Sequence, residues 1–247
     1  MQHSLIRSLL VRGMIVGLIA GLLSFGFAKL FGEPEIDRAI AFEEKMDQAE
    51  GKAPEPELVS RAVQSRLGLL TAVVVYSTAI GGLFSLAFAA AYGRYGVGGA
   101  RETAALLGAA GFLAVALTPA MKYPPNPPSV GLAETIGWRT EWYFMMVLIS
   151  LTATAFAFIL SRRLAGRFGA WNSALIGAGV FIGILAICLL ILPAINEVPL
   201  EFPAAVLWRF RIASLGTQSV LWATLGLLFG ALTERDPEFP RSEAFEK

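Results

Sequence analysis

Seven side chains along this chain could offer oxygen donors: Glu33, Glu35 and Asp37 in "GEPEID", Asn126 in "PPNPP", Glu141 in "GWRTEW", and Asn196 with Glu197 in "LPAINEVP". Carboxylate and amide oxygens of this kind collect divalent cations, and grouped near a membrane surface they would make a metal-capturing site. Arg61, Arg139, Arg209 and Arg211 accompany them in the same segments. Arginines beside a cation path are awkward unless acids neutralise them, so the expected arrangement is a salt-bridged vestibule. Two blander readings compete with it. Clustered acids are commonly a solvated face, and buried ion pairs commonly lock helices together and nothing more.

Other chemistries find no residues. The chain has no GxSxG, HExxH, Walker A or paired CxxC, and its one histidine is His3. No nucleophile stands with a base, so no catalytic residue, bound cofactor or ATP site is expected, and the chain does not read as an enzyme. The one cysteine, Cys188, has no intrachain partner for a disulfide and reads as a small packing residue. A net charge of +1 with scattered basic residues gives no footprint for nucleic acid.

The elements that would hold these groups are apolar helices. Charged residues make up only 16% of the chain, against roughly 25% in a soluble domain. Six stretches lack Asp, Glu, Lys, Arg and His: 13–28, 67–93, 103–121, 142–161, 172–196 and 212–233. All but the first exceed about 18 residues, and the first is extended by Lys29, which can snorkel. The expected fold is an all-α, polytopic membrane protein with six transmembrane helices. Its membrane domain covers 1–234 with an outer acidic loop at 33–66, and 235–247 is a short cytoplasmic tail. The basic start and apolar core could be taken for a signal peptide. Gly13, Gly17 and Gly21, however, form a double GxxxG ridge suited to helix packing in lipid.

Arg7 and Arg12, Arg94 and Arg101, and Arg162, Arg163 and Arg167 fall on one side of such a six-span topology, in short segments. The positive-inside rule then places both termini in the cytoplasm, with the longer loops outside. Those loops echo one another. "GAAGF" at 108–112 returns loosely as "GAGVF" at 177–181, and "GWRTEW" at 137–142 as "LWRFRI" at 207–212, an offset of about 70 residues that suits three repeated helix hairpins. In each, a Gly-rich helix would end near a proline: "GEPEID", Pro119 or Pro193.

The outer loops differ in character. Residues 33–66 carry nine acidic and five basic residues, and Ile36, Ile40 and Met46 suggest a short amphipathic helix lying on the surface before the break at "GKAPEPE". "KYPPNPPSVG" has four prolines around Asn126 and must be stiff and extended. In "LPAINEVPLEFPAAVLWRFR" the prolines would set the angle at which the last helix re-enters the membrane.

"GEPEIDRAIAFEE", "VSRAVQSRLGLL", "KYPPNPPSVG", "TIGWRTEWY" and "LPAINEVPLEFPAAVLWRFR", in that order, resemble the CbtA family of probable cobalt transporter subunits over nearly the whole chain. The resemblance implies a membrane subunit for uptake of a divalent transition metal, with cobalt as the transported ion, in a bacterial inner (cytoplasmic) membrane. It also implies a very small single-span partner, CbtB, that carries histidines. The composition agrees with such a partner: cobalt(II) favours imidazole and carboxylate donors, the six stretches hold neither, and His3 alone makes no imidazole site. The residues leave two alternatives open, a membrane-embedded lipid-active enzyme and a non-transporting scaffold.

Overall fold

The computed structural model describes residues 2–51, 59–93, 98–237 and 239, with side chains from residue 5. The His3 side chain, Arg94, residues 52–58 of the acidic loop and most of the 235–247 tail lie outside the described residues. No strand occurs among those described. Among the described residues five helices are long and apolar enough to cross a membrane: α1 (Leu5–Ala49), α2 (Arg61–Ala91), α3 (Ala100–Lys122), α4 (Ala133–Ile191) and α5 (Ala204–Glu234). In α4 only 11% of the most apolar window is buried. Apolar side chains left outward on that scale require lipid rather than water as their surroundings.

Six separate helices were expected, and the described residues form five long helical segments, one of them kinked. The difference lies in α4, where the sequence reading puts a basic loop at 162–171. Arg162, Arg163 and Arg167 are good helix formers, so helical geometry runs through them and breaks at Gly169 alone, with φ 77° and ψ 161°. That backbone region is open to glycine and almost nothing else. The two halves fold back on each other. A Cβ at Gly177 would meet Ala157 O and Ser161, and Met146 shares a buried cluster with Cys188. In a straight helix of 59 residues those groups would lie tens of ångströms apart.

A second correction concerns the prolines. "GEPEID" does not end the first helix, and Pro119 does not end the third. A π-helical turn, Ala28–Gly32, precedes Pro34, and another, Phe112–Leu117, precedes Pro119. In these turns Glu33 N–H bonds Ala28 O and Thr118 N–H bonds Leu113 O, each five residues back. The widened turn relieves the ring clash and the missing donor that would otherwise stop the helix. The expected surface helix is therefore the second half of α1.

The chain divides into two compact units: Met1–Ala109 with Asn126–Ser129 and Glu201–Lys247, and Ala110–Pro125 with Val130–Leu200. The division cuts through α3 and does not follow the 70-residue offset of the expected hairpin repeats. In the first unit the Gly13, Gly17 and Gly21 ridge meets α2. A Cβ on Gly17 would lie 3.0 Å from Thr78 Cα and 3.1 Å from Gly81 Cα, and one on Gly81 would lie 2.8 Å from Gly17 Cα. The helices touch backbone to backbone, as the small-residue spacing foretells. On another face α1 meets α5, where Ser24 Oγ donates to Thr217 O at 3.3 Å. The start of α3 packs on the end of α5 through Gly108 and Gly226, and Phe84 and Phe88 both set their rings edge-on to Phe229.

In the second unit Tyr123, Met146 and Cys188 form the buried core, packed by Trp142, Ile149, Ile184 and Leu185. Cys188 is a buried free thiol in this packing role. Lys122 Nζ donates to Leu189 O at 2.8 Å and the Tyr123 hydroxyl to Pro193 O at 3.0 Å. These bonds satisfy a helix-end carbonyl and tie the end of α3 to the end of α4.

Candidate functional site

The extension of α1 carries the first group. Glu33 and Asp37 are four residues apart and share one helical face. Arg61, at the start of α2, reaches both: Nη2 lies 2.5 Å from Glu33 Oε2 and 2.9 Å from Asp37 Oδ1, with Nε 3.0 Å from the same oxygen. Lys29 adds a second cation 3.9 Å from Glu33 and donates to Ser65 O at 3.0 Å, inside the π-turn Gln64–Gly68. Glu33 is 4% exposed and Glu35 5%. Glu35 Oε1 takes an ion pair from Arg38, but its Oε2 is buried without a hydrogen-bond donor. Asp37 stays exposed.

The same unit places Asn126 against the last helix, with Arg211 Nη2 donating to Asn126 Oδ1 at 2.8 Å. The extended proline segment lets Asn126 present its amide there. Three residues along the chain, Ser129 holds a left-handed backbone, φ 68°, and its hydroxyl donates to Ala39 O at 3.0 Å. Phe42 packs edge-on to Phe202. The α1 extension is thus held by the proline loop and by the approach to α5.

In the second unit Glu197 is the hub. Its Oε2 accepts from Leu132 N–H at 2.8 Å and from the Thr135 hydroxyl at 2.9 Å, and Arg139 Nε stands 3.5 Å away. The carboxylate satisfies donors at the start of α4, as a capping group does. Glu141, Asn196 and Arg209 are exposed.

The expected residues therefore fall into three sets: Glu33, Asp37 and Arg61; Asn126 and Arg211; Glu197 and Arg139. Among the described residues no three of His, Cys, Asp or Glu gather as a metal-holding group. Sequence reasoning missed Lys29, Arg38 and Thr135 as members. Arg38 was legible as an i,i+3 partner of Glu35, whereas Thr135 and the Leu132 N–H reach Glu197 through tertiary folding alone.

The family described as "Probable cobalt transporter subunit (CbtA)" matches residues 6–234. The chain belongs to the CbtA family. No curated protein and no solved structure matches it. All seven candidate donors and all four arginines lie inside the CbtA match. The match and the five apolar helices make this CbtA chain an integral, multi-pass membrane protein of a transporter-subunit family.

The Glu197 geometry carries a prediction for this CbtA chain. Its carboxyl is held below its ordinary value, chiefly by the Leu132 N–H, then by the Thr135 hydroxyl and the Arg139 charge, while desolvation pulls the other way. A folded-state value below the unfolded one stabilises the fold above the ordinary carboxylate range, and that contribution is lost as pH falls through the lowered value. Thermal unfolding in detergent, followed from neutral to acid pH, should show a steeper acid loss in the wild type than in Glu197→Gln. Identical pH profiles would mean that the clasp is not coupled to folding.

Proposed function

We propose that this chain is the membrane-embedded permeation subunit of a divalent transition-metal uptake system, with cobalt(II) as its cargo. The observation that carries the reading is the buried Glu35 carboxylate oxygen without a donor, two turns past the first apolar stretch and beside the paired Glu33. A carboxylate oxygen so placed keeps acceptor capacity for a cation, while Arg61, Lys29 and Arg38 balance the charge before the ion arrives.

Glu35 would be the capturing carboxylate, with Glu33 and Asp37 beside it as acids that Arg61 neutralises until an ion is present. Asn126 in the proline loop, Glu141 within the first turns of α4 and Asn196 beyond its end would be further oxygen donors, and Glu197 leans to the structural role through its bonds to the start of α4. With the turn at Gly169, α4 would cross twice, giving six crossings. By the positive-inside rule, Arg162, Arg163 and Arg167 beside that turn favour the cytoplasmic side of a bacterial inner membrane for it and for both termini. Imidazole donors come from a small single-span, His-bearing partner of the CbtB kind, because this chain has one histidine.

Cobalt content of cells expressing the chain, with and without the small partner, tests the reading. Wild type with partner should raise cobalt, and Glu35→Gln at normal protein level should return it to background. If cobalt, nickel and zinc all stay unchanged with wild type and partner present, the transport reading fails. A lipid-active enzyme or a scaffold then takes its place.

A further inference from the structure

Away from these carboxylates, the first unit has a groove of about 550 Å³ lined by Ser8, Val11, Arg12 and Ile15 of α1 and by Leu232, Arg235 and Asp236 at the end of α5. The four α1 residues follow helical spacing and make one face. The groove straddles a chemical boundary on both helices. Arg12 immediately precedes the charge-free stretch 13–28, and Arg235 follows the charge-free stretch 212–233 by two residues. Val11, Ile15 and Leu232 therefore form an apolar flank beside a polar mouth, at the level where a bilayer changes from hydrocarbon to headgroup.

The mouth is incompletely satisfied. Arg12 Nη2 pairs with Asp236, but Arg12 Nη1 is buried with no hydrogen-bond partner. A guanidinium prong shut off from solvent and left unpaired is costly, so the site favours an acceptor that can reach it. Arg235 is exposed and, among the described residues, forms no ion pair. Two arginines and one aspartate leave the lining with one net positive charge. A phosphodiester carries one negative charge and matches a guanidinium fork in geometry.

The geometry points to this groove as a binding site for one anionic phospholipid, its phosphate held by Arg12 Nη1, Arg235 and the Ser8 hydroxyl and its acyl chain laid along Val11, Ile15 and Leu232. The combination chooses the lipid over a free anion. A soluble phosphate would use the arginines and gain nothing from an exposed apolar flank continuous with the membrane-facing surface of α1, whereas a lipid uses both. The groove volume suits a headgroup with the first part of its chains. Bound there, the lipid bridges the first and last helices and reinforces the Arg12–Asp236 pair.

The test uses the full chain, purified in a neutral detergent and stripped of lipid. Native mass spectrometry and thermal unfolding are followed as phosphatidylglycerol, phosphatidylcholine or inorganic phosphate is added. The expected result is one retained phosphatidylglycerol and a raised unfolding midpoint, with phosphatidylcholine and phosphate giving neither. Arg235→Gln should weaken the lipid by about tenfold or more, the worth of one charge-assisted hydrogen bond. Arg235 is exposed, so this variant folds whatever the outcome. Arg12→Lys keeps a cation for Asp236 while removing the second prong, and it should weaken the lipid similarly. Equal binding of phosphatidylcholine, an equal midpoint shift with phosphate alone, or wild-type lipid affinity in both variants would each overturn the assignment.

Discussion

Gly81→Leu should remove folded protein from the membrane, while Gly26→Ala leaves its amount and unfolding midpoint close to wild type. Both are helical glycines in apolar segments, and they differ in what a side chain would meet. A Cβ at Gly81 would run into the Gly13 carbonyl and come within 2.8 Å of Gly17 Cα, and these obstacles are backbone rather than movable side-chain ends. At Gly26 nothing lies within 4 Å. Overpacking costs about 1–3 kcal/mol where side chains can shift, and more where two helix backbones must separate, so at least about 3 kcal/mol is expected here. Against a typical net stability of ~5–15 kcal/mol that loss is large. The reciprocal change, Gly13→Leu, should fail in the same way, since its Cβ meets the Gly81 carbonyl and Ser85. Fluorescence-detected gel filtration of tagged variants reads all three. A monodisperse Gly81→Leu peak at wild-type height would show that α1 and α2 do not depend on this close approach.

Arg61→Gln should destabilise the protein more than any other single loss of charge in the acidic cluster. The substitution leaves Glu33 buried, with Lys29 at 3.9 Å as its remaining cation, and frees the exposed Asp37 from the same guanidinium. Breaking a buried pair by removing one partner costs about 3–5 kcal/mol, because the other charge stays desolvated. The Arg61 side chain is 27% exposed, so solvent screens part of this, and about 2–3 kcal/mol is expected. Glu33→Gln alone should cost less, since Arg61 keeps Asp37 as a partner, and Glu33→Gln with Arg61→Gln should recover most of the single Arg61 loss. A thermal double-mutant cycle in detergent measures this directly. If the double variant is no more stable than Arg61→Gln, Glu33 is not the group that needs the arginine. The cycle also separates clasp from capture site: Glu35→Gln is expected to act on cobalt content with little change in this stability.

The chain by itself determined the class of protein and several of its contacts, because those depend on local composition and spacing. Charge-free stretches of membrane-crossing length need lipid wherever they fold. The Gly13, Gly17 and Gly21 spacing announced a close helix contact, and its partner at Gly81 was the missing half. Clustered acids with Arg61 nearby announced neutralised charge, and the pair formed at 2.5 Å. The five sequence blocks carried the family resemblance, and the match over 6–234 bears it out.

Tertiary structure decided where helices stop and which charges meet. Proline normally ends a helix, yet Pro34 and Pro119 each follow a π-turn that makes room for the ring, and nothing in local propensity marks such a turn in advance. The reversal of α4 rests on one residue, Gly169, where composition suggested a loop of ten, because helix-forming arginines hold their geometry up to the last position before the break. Glu197 meets the Leu132 N–H and Thr135 more than sixty residues away. Hydrogen bonds and ion pairs are short-ranged and directional, so their partners follow from the three-dimensional register of packed helices, which apolar spacing constrains only face by face.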